Sequence, residues 1–126
     1  GAPAVLEAWG IGARFRGEAS LTLTPAKVRI GETLTLSVSL RSGARAGQPL
    51  VVDYAVHHVK ANGERTPKVF KGWSVTLAAH EHRQLERRHS MRLITTRTYH
   101  PGDHLVELRV NGQTVAQAEF RLMAQV

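Results

Sequence analysis

The sequence predicts an all-β fold, an antiparallel immunoglobulin- or fibronectin-like sandwich of seven to eight short strands. Apolar residues recur at every second position in most of the chain, most regularly over residues 34–40 and 106–110. This alternation is typical of strands with one buried face. Turn signals built from Gly, Pro and Asn separate the alternating runs. Short strands divided by frequent turns favour a sandwich over a fold that alternates strands and helices.

The first segment of the chain departs from this pattern. Residues 5–9 read VLEAW, which are good helix formers, and Gly10 and Gly12 follow as stop signals. We interpret this segment as a short N-terminal helical remnant. The predicted organisation is therefore the end of a preceding helical region plus a linker over residues 1–18, and the sandwich over residues 19–126. A short helix that caps the sandwich is the alternative.

Seven to eight strands are predicted from the alternation, depending on whether the break at Pro25 divides one edge strand into two. In chain order they are residues 21–23, 28–30, 34–40, 52–58, 69–77, 85–91, 106–110 and 116–122. Pro25 ends the first strand, as is typical of an edge strand. Asn62-Gly63 and Asn111-Gly112 predict tight hairpin turns because both residue types tolerate positive φ. A Gly- and Ser-rich loop is expected over residues 42–48.

Composition narrows the class of protein. A chain of 126 residues suits one domain with a single core. The absence of cysteine removes disulfides and thiolate chemistry. No apolar run reaches the length of a membrane span, so we expect no membrane partner. The absence of cysteine fits the cytoplasmic location that we expect. Seventeen Lys and Arg against ten Asp and Glu give a net charge of +7, which attracts polyanions such as nucleic acid but also simply aids solubility.

No arrangement of residues predicts catalysis or a bound metal. His80 and His82 share a face if extended, but a site needs further ligands, and no other spacing is diagnostic. We interpret His58 and His104 as core or rim histidines. Ser90 follows His89 directly, so a strand would point the two side chains apart. The expectation is a domain without catalytic, metal-binding or cofactor-binding residues.

Basic and hydroxyl side chains predict a weak contact with duplex DNA, since cations with hydroxyls suit phosphates and a tyrosine ring can stack. The candidate residues are Lys60, Lys68, Lys71, Arg92, Thr95, Thr96, Arg97 and Tyr99. Two other interpretations remain open. Outward cations, those near Arg87 above all, keep strand edges soluble. Alternatively, Asp53 and Tyr54 organise the loop from inside by pairing with Arg97 or His89.

Several phrases of the chain resemble one bacterial family. They are VDY at residues 52–54, HHVKANG at 57–63, PKVFK at 67–71, RHS at 88–90, ITTR at 94–97 and YHPGDH at 99–104. The resemblance is to the β-domain at the C-terminus of DNA alkylation repair proteins, which are helical-repeat glycosylase relatives. One junction departs from it, because Ala78-Ala79-His80-Glu81 stands where a Pro-Gly-Glu turn is expected.

The resemblance implies that the chain is a fragment of a longer protein. The upstream helical-repeat domain would be a partner within the same polypeptide, and the β-domain would extend the grip on DNA or brace the repeats. Catalysis, the release of an alkylated base by hydrolysis of its glycosidic bond, would belong to upstream residues. The alternative function is an Ig-like adhesion or carbohydrate-binding module of a secreted bacterial protein.

Overall fold

The computed structural model describes residues 14–59, 65–91 and 100–124. Their eight strands are β1 (Gly17–Thr24), β2 (Lys27–Arg29), β3 (Thr33–Ser42), β4 (Gln48–Val59), β5 (Arg65–Leu77), β6 (His82–Ser90), β7 (Gly102–Val110) and β8 (Gln113–Met123). One sheet has the order β1-β3-β6 and the other β2-β8-β7-β4-β5. Neighbouring strands are antiparallel except β2 and β8. The predicted sandwich is confirmed, whereas the predicted helical remnant lies outside the described residues.

The alternation of apolar and polar residues in β3 shows why the sequence alone could predict the fold. Its inward residues are fully buried; they are Leu34, Leu36, Val38 and Leu40. The residues between them are threonines and serines on the outer face. Each buried leucine or valine contributes roughly 1.5–3 kcal/mol from the transfer of apolar surface out of water. A slip of one residue would therefore expose the whole apolar set, which fixes the register.

The core between the sheets has two halves, and these define two ends of the domain. The half that contains Met91, Val106 and Phe120 marks the distal end. The half that contains Leu50 and Leu77 marks the proximal end, because Phe15 packs against it as the chain enters the sandwich.

Several strand boundaries differ from those predicted. Gly17 and Glu18, predicted as linker, begin β1 and pair with Ser42 and Arg41. Likewise β6 extends from His82 to Ser90 rather than over residues 85–91. The prediction followed the apolar residues, but the backbone hydrogen-bond ladder continues through polar residues beyond them. Strand ends are therefore set by the partner strand.

Two turns use left-handed backbone. Asn111 has φ of 51° and Gly112 of 83°, which confirms the predicted Asn-Gly turn. The Asn111 side chain accepts a hydrogen bond from the Val51 amide at 2.9 Å, so it also ties this turn to β4. His80 has φ of 56° in the turn after β5. A histidine thus occupies a conformation that glycine adopts at lower cost.

Candidate nucleic-acid interface

Two of the eight predicted DNA-contacting residues lie in the described part of the chain. Lys68 and Lys71 are exposed on β5, which is the edge strand of the five-stranded sheet. The remaining six lie outside the described residues; they are Lys60, Arg92, Thr95, Thr96, Arg97 and Tyr99.

Cationic and aromatic side chains lie side by side where β5 approaches β6, the edge strand of the other sheet. We call this surface the β5–β6 flank and define it by Lys68, Phe70, Lys71, Trp73 and Arg87. Lys71 lies at its margin, because it pairs with Asp53 and, as the residue after Phe70, projects to the opposite face of β5. The Lys68 Nζ lies 5.7 Å from the centroid of the Phe70 ring. The Arg87 guanidinium carbon lies 4.9 Å from the centroid of the Trp73 ring. Cations beside flat rings suit the phosphates and the sugars or bases of a nucleic-acid strand.

The Arg87 side chain mainly links the two sheets through hydrogen bonds. From β6 its Nη2 donates to the Gly72 carbonyl at 2.9 Å and its Nη1 to the Lys71 carbonyl at 3.3 Å. These bonds, together with the stacking on Trp73, hold the guanidinium against β5. Arg87 therefore joins the two sheets, a role that the sequence did not predict, and the exposed lysines are the flank cations that can reach a ligand.

A β-bulge explains how the Arg87 side chain reaches those carbonyls. The pairing of β4 with β5 shifts register between Val52 and Asp53, opposite residues 71–73. Asp53 accepts a hydrogen bond from the Gly72 amide at 3.4 Å. A Cβ at position 72 would lie 2.5 Å from the Val52 carbonyl oxygen, so only glycine fits this close approach.

A buried aromatic and imidazole cluster lies beneath the flank. The Tyr54 hydroxyl lies 3.2 Å from the His89 Nδ1, and the Tyr54 ring stacks on Phe70 with centroids 5.2 Å apart. Burial lowers the pKa of His89. Burial also raises the pKa of Tyr54, against the opposing effect of the Arg87 charge. Tyr54 thus pairs with His89, and this neutral pair links the two sheets; the loop that the pair was expected to organise lies outside the described residues.

An ion-pair network on the outer face of the five-stranded sheet was not predicted. Glu107 on β7 pairs with His57 on β4, and it accepts a hydrogen bond from the Thr114 hydroxyl at 2.7 Å. The Thr114 bond, with a smaller effect of His57 and Arg109, lowers the pKa of Glu107 against the effect of burial. His57 and Glu107 are far apart in sequence, so no spacing could have indicated this pair. Its members satisfy one another and are structural.

The described histidines are mostly engaged within the fold. His104, predicted as core or rim, is fully buried, stacks on Phe120 and donates from Nε2 to the His100 carbonyl at 2.8 Å. The Ser39 hydroxyl lies 2.8 Å from the His82 Nε2 on the outer face of the three-stranded sheet. Among the described residues, no three His, Cys, Asp or Glu side chains are grouped to hold a metal ion. That part of the chain also contains no helix long and apolar enough to cross a membrane.

The two-sheet architecture and its strand order define an Ig-like β-sandwich domain. The family described as "Uncharacterised protein YhaZ, C-terminal Ig-like domain" matches residues 18–124. The chain therefore belongs to this family of C-terminal Ig-like domains. It is 31% identical over 102 residues to the uncharacterized protein YhaZ of Bacillus subtilis (strain 168), a match that covers 81% of this chain and 28% of that protein.

Solved structures give two further similarities. The alkylpurine DNA glycosylase AlkC of Pseudomonas fluorescens, bound to DNA containing an abasic site analog, is similar with a TM-score of 0.90 and 41% identity, over 94% of this chain and 33% of that chain. A β-glucosidase of Listeria innocua in complex with laminaribiose has a TM-score of 0.71 at 18% identity, over 94% of this chain and 17% of that chain, which shows the fold alone. The chain thus spans about a third or less of the length of these relatives.

Proposed function

We propose that this chain is the non-catalytic C-terminal accessory domain of a DNA alkylation repair protein and that it supports the binding of that protein to duplex DNA. One observation carries the proposal: the 41% identity and TM-score of 0.90 to a glycosylase whose structure contains DNA. The net charge of +7 is of the sign that a phosphate backbone attracts.

The contact we propose is centred on the β5–β6 flank. Lys68 and Lys71 are exposed there, and Arg87 adds its charge while its donors stay bonded to β5. The six predicted residues outside the described part remain candidate contacts in the proposal. Contacts from lysines to phosphates carry no base information, so the binding is independent of sequence.

The proposal also covers the organisation of the parent protein. In this proposal a preceding helical region and a linker come before the accessory domain, which begins with β1 at Gly17 rather than at residue 19. The upstream helical repeats carry the release of the alkylated base, and this domain also braces them. A cytoplasmic location follows from a role in DNA repair.

Titration of a short duplex at low salt tests the proposal. We expect a dissociation constant on the order of 10⁻⁴ to 10⁻⁶ M at physiological salt and a slope of log K against log salt of about −0.9 per phosphate contacted. The double variant Lys68→Glu/Lys71→Glu should weaken binding to every sequence alike. Lys27→Glu/Arg29→Glu is the matched control, because it changes the net charge equally and both residues are exposed on β2 at the opposite edge of the same sheet.

Two results would contradict DNA binding by the flank. One is no detectable binding at low salt. The other is an equal loss of affinity in the Lys27/Arg29 variant, which would indicate an effect of net charge alone. Binding of a polysaccharide with no affinity for DNA would instead favour the adhesion or carbohydrate-binding alternative.

A further inference from the structure

The backbone of Arg16 is bonded more extensively than a linker requires. Its carbonyl oxygen accepts from the Gln48 Nε2 at 2.8 Å and from the Gly43 amide at 2.9 Å. Its own amide donates to the Gln48 Oε1 at 3.3 Å. The side-chain amide of Gln48 thus pairs with the Arg16 backbone through a donor and an acceptor, as a neighbouring strand would.

Gln48 is itself held in place. Its Nε2 also donates to the Ser42 hydroxyl at 2.7 Å, and that hydroxyl accepts from the Ala44 amide at 3.2 Å. Ser42 is 2% exposed, so the Ser42 side of this network is buried, whereas the bonds between Gln48 and Arg16 are exposed. Both N–H groups and the oxygen of the Gln48 side chain are used, which leaves it one rotamer with all its bonds made.

The residues on either side of Arg16 are fixed as well. Phe15 packs against the proximal core. Gly17 has φ of 149° and passes so close to β3 that a Cβ there would overlap the Arg41 carbonyl oxygen. The packing of Phe15, the hydrogen bonds of Arg16 and the close approach of Gly17 to β3 therefore hold three successive residues. Together these interactions offset the conformational entropy that is lost when the segment is ordered.

We propose that Gln48 is a positioning residue that fixes the direction in which the preceding part of the parent protein leaves the sandwich. The partner it orients is the upstream region of the same polypeptide. The inference rests on the assignment as a C-terminal domain and is independent of DNA binding. Without this pairing, the Arg16 backbone would keep only the bond from the Gly43 amide, and the two parts of the protein would sample a wider range of relative orientations.

The rate of trypsin cleavage after Arg16 tests whether Gln48 holds the Arg16 backbone in place. The Arg16 side chain is exposed, so the protease can reach it, but its bonded backbone must open before cleavage. Loss of two or more hydrogen bonds in Gln48→Ala should raise the rate of cleavage between Arg16 and Gly17 roughly ten- to thirtyfold. Gln117→Ala removes an exposed amide on β8 and should leave the rate unchanged. Intact mass identifies the cleaved bond.

Local opening must be separated from global unfolding. Exchange of the Gly43 amide, which donates to the Arg16 carbonyl, should accelerate about tenfold or more in Gln48→Ala. Core amides in β3 and β7 should change only with overall stability. Gln48→Met keeps the length and the apolar stem of the side chain but removes its amide group. It replaces Gln48→Ala in these measurements if the alanine variant folds poorly.

Small-angle X-ray scattering of the parent protein measures the orientation itself. One arrangement should fit the wild-type protein and the Gln117→Ala variant, whereas Gln48→Ala or Gln48→Met should need a broad distribution of arrangements. Scattering curves that superimpose for all variants would overturn the proposal. Wild-type cleavage after Arg16 as fast as in the Gln48 variants would overturn it too. Neither result bears on the affinity for DNA, which is measured separately.

Discussion

The Tyr54 hydroxyl on β4 lies 3.2 Å from the Nδ1 of His89 on β6, and this hydrogen bond joins the two sheets inside the sandwich. Tyr54 is 3% exposed and His89 7%. Their rings and that of Phe70 are in mutual contact, with the Phe70 and His89 centroids 4.8 Å apart. The pair therefore lies directly beneath the surface proposed to meet DNA.

Tyr54→Phe should destabilise the domain by about 1–3 kcal/mol, because it leaves the buried His89 Nδ1 without a partner. The phenylalanine ring keeps the stack on Phe70, so lost packing is a small part of the effect. Urea unfolding measures it. In a His89→Leu background the same substitution should cost much less, since the two residues are coupled. Equal costs in both backgrounds would contradict the coupling.

The stability of the domain should fall as the pH drops below about 6.5. Burial lowers the pKa of His89, so the unfolded chain binds this proton more readily than the folded one. The stabilisation is fully present above the unfolded pKa and is lost as the pH falls toward the folded pKa. Chemical unfolding from about pH 7 to about pH 5 should show the fall in wild type and a weaker one in His89→Gln.

Glu107→Gln is the control for this pH dependence. The pKa of Glu107 is lowered, so its contribution is lost only as the pH falls below its unfolded value, about 4.3. The variant should therefore leave the fall between about pH 7 and about pH 5 intact. A fall that persists unchanged in His89→Gln would show that another group is responsible.

Gly72→Ala should destabilise the domain by about 1–3 kcal/mol, as overpacking of a close contact does. The new Cβ would lie 2.5 Å from the Val52 carbonyl oxygen, and it would displace the backbone that Arg87 bonds. Gly47→Ala is the control, since a Cβ there meets its neighbours at 3.6 Å or more. Thermal unfolding of both variants should separate them; equal melting temperatures would contradict the close approach.

The chain alone should release no base from DNA that contains 7-methylguanine or 3-methyladenine. Among the described residues, no three potential metal ligands lie together. The contact between the Ser39 hydroxyl and His82 is exposed on the outer face of the three-stranded sheet. Chromatography of the released bases measures the outcome. Release by the pure chain that a single His or Asp substitution abolishes would show that it has an active site.

The sequence by itself determined the fold class, because the features that specify it are local. Alternation in β3 identified the buried face, and Asn111-Gly112 identified a turn that only such residues adopt readily. The quoted phrases likewise pointed to the β-domain of alkylation repair proteins, and the chain belongs to a family of C-terminal Ig-like domains. The eight proposed DNA contacts remain a prediction.

Only the tertiary structure decided which side chains meet across the sandwich. Arg87 and Lys68 are both cations on edge strands, yet Arg87 reaches back to the carbonyls of β5 while Lys68 stays exposed. Gln48 meets Arg16 across 32 residues of sequence, and Tyr54 meets His89 across 35. Such pairs depend on strand order and on a bulge in one edge strand, and these are long-range properties that no local periodicity encodes.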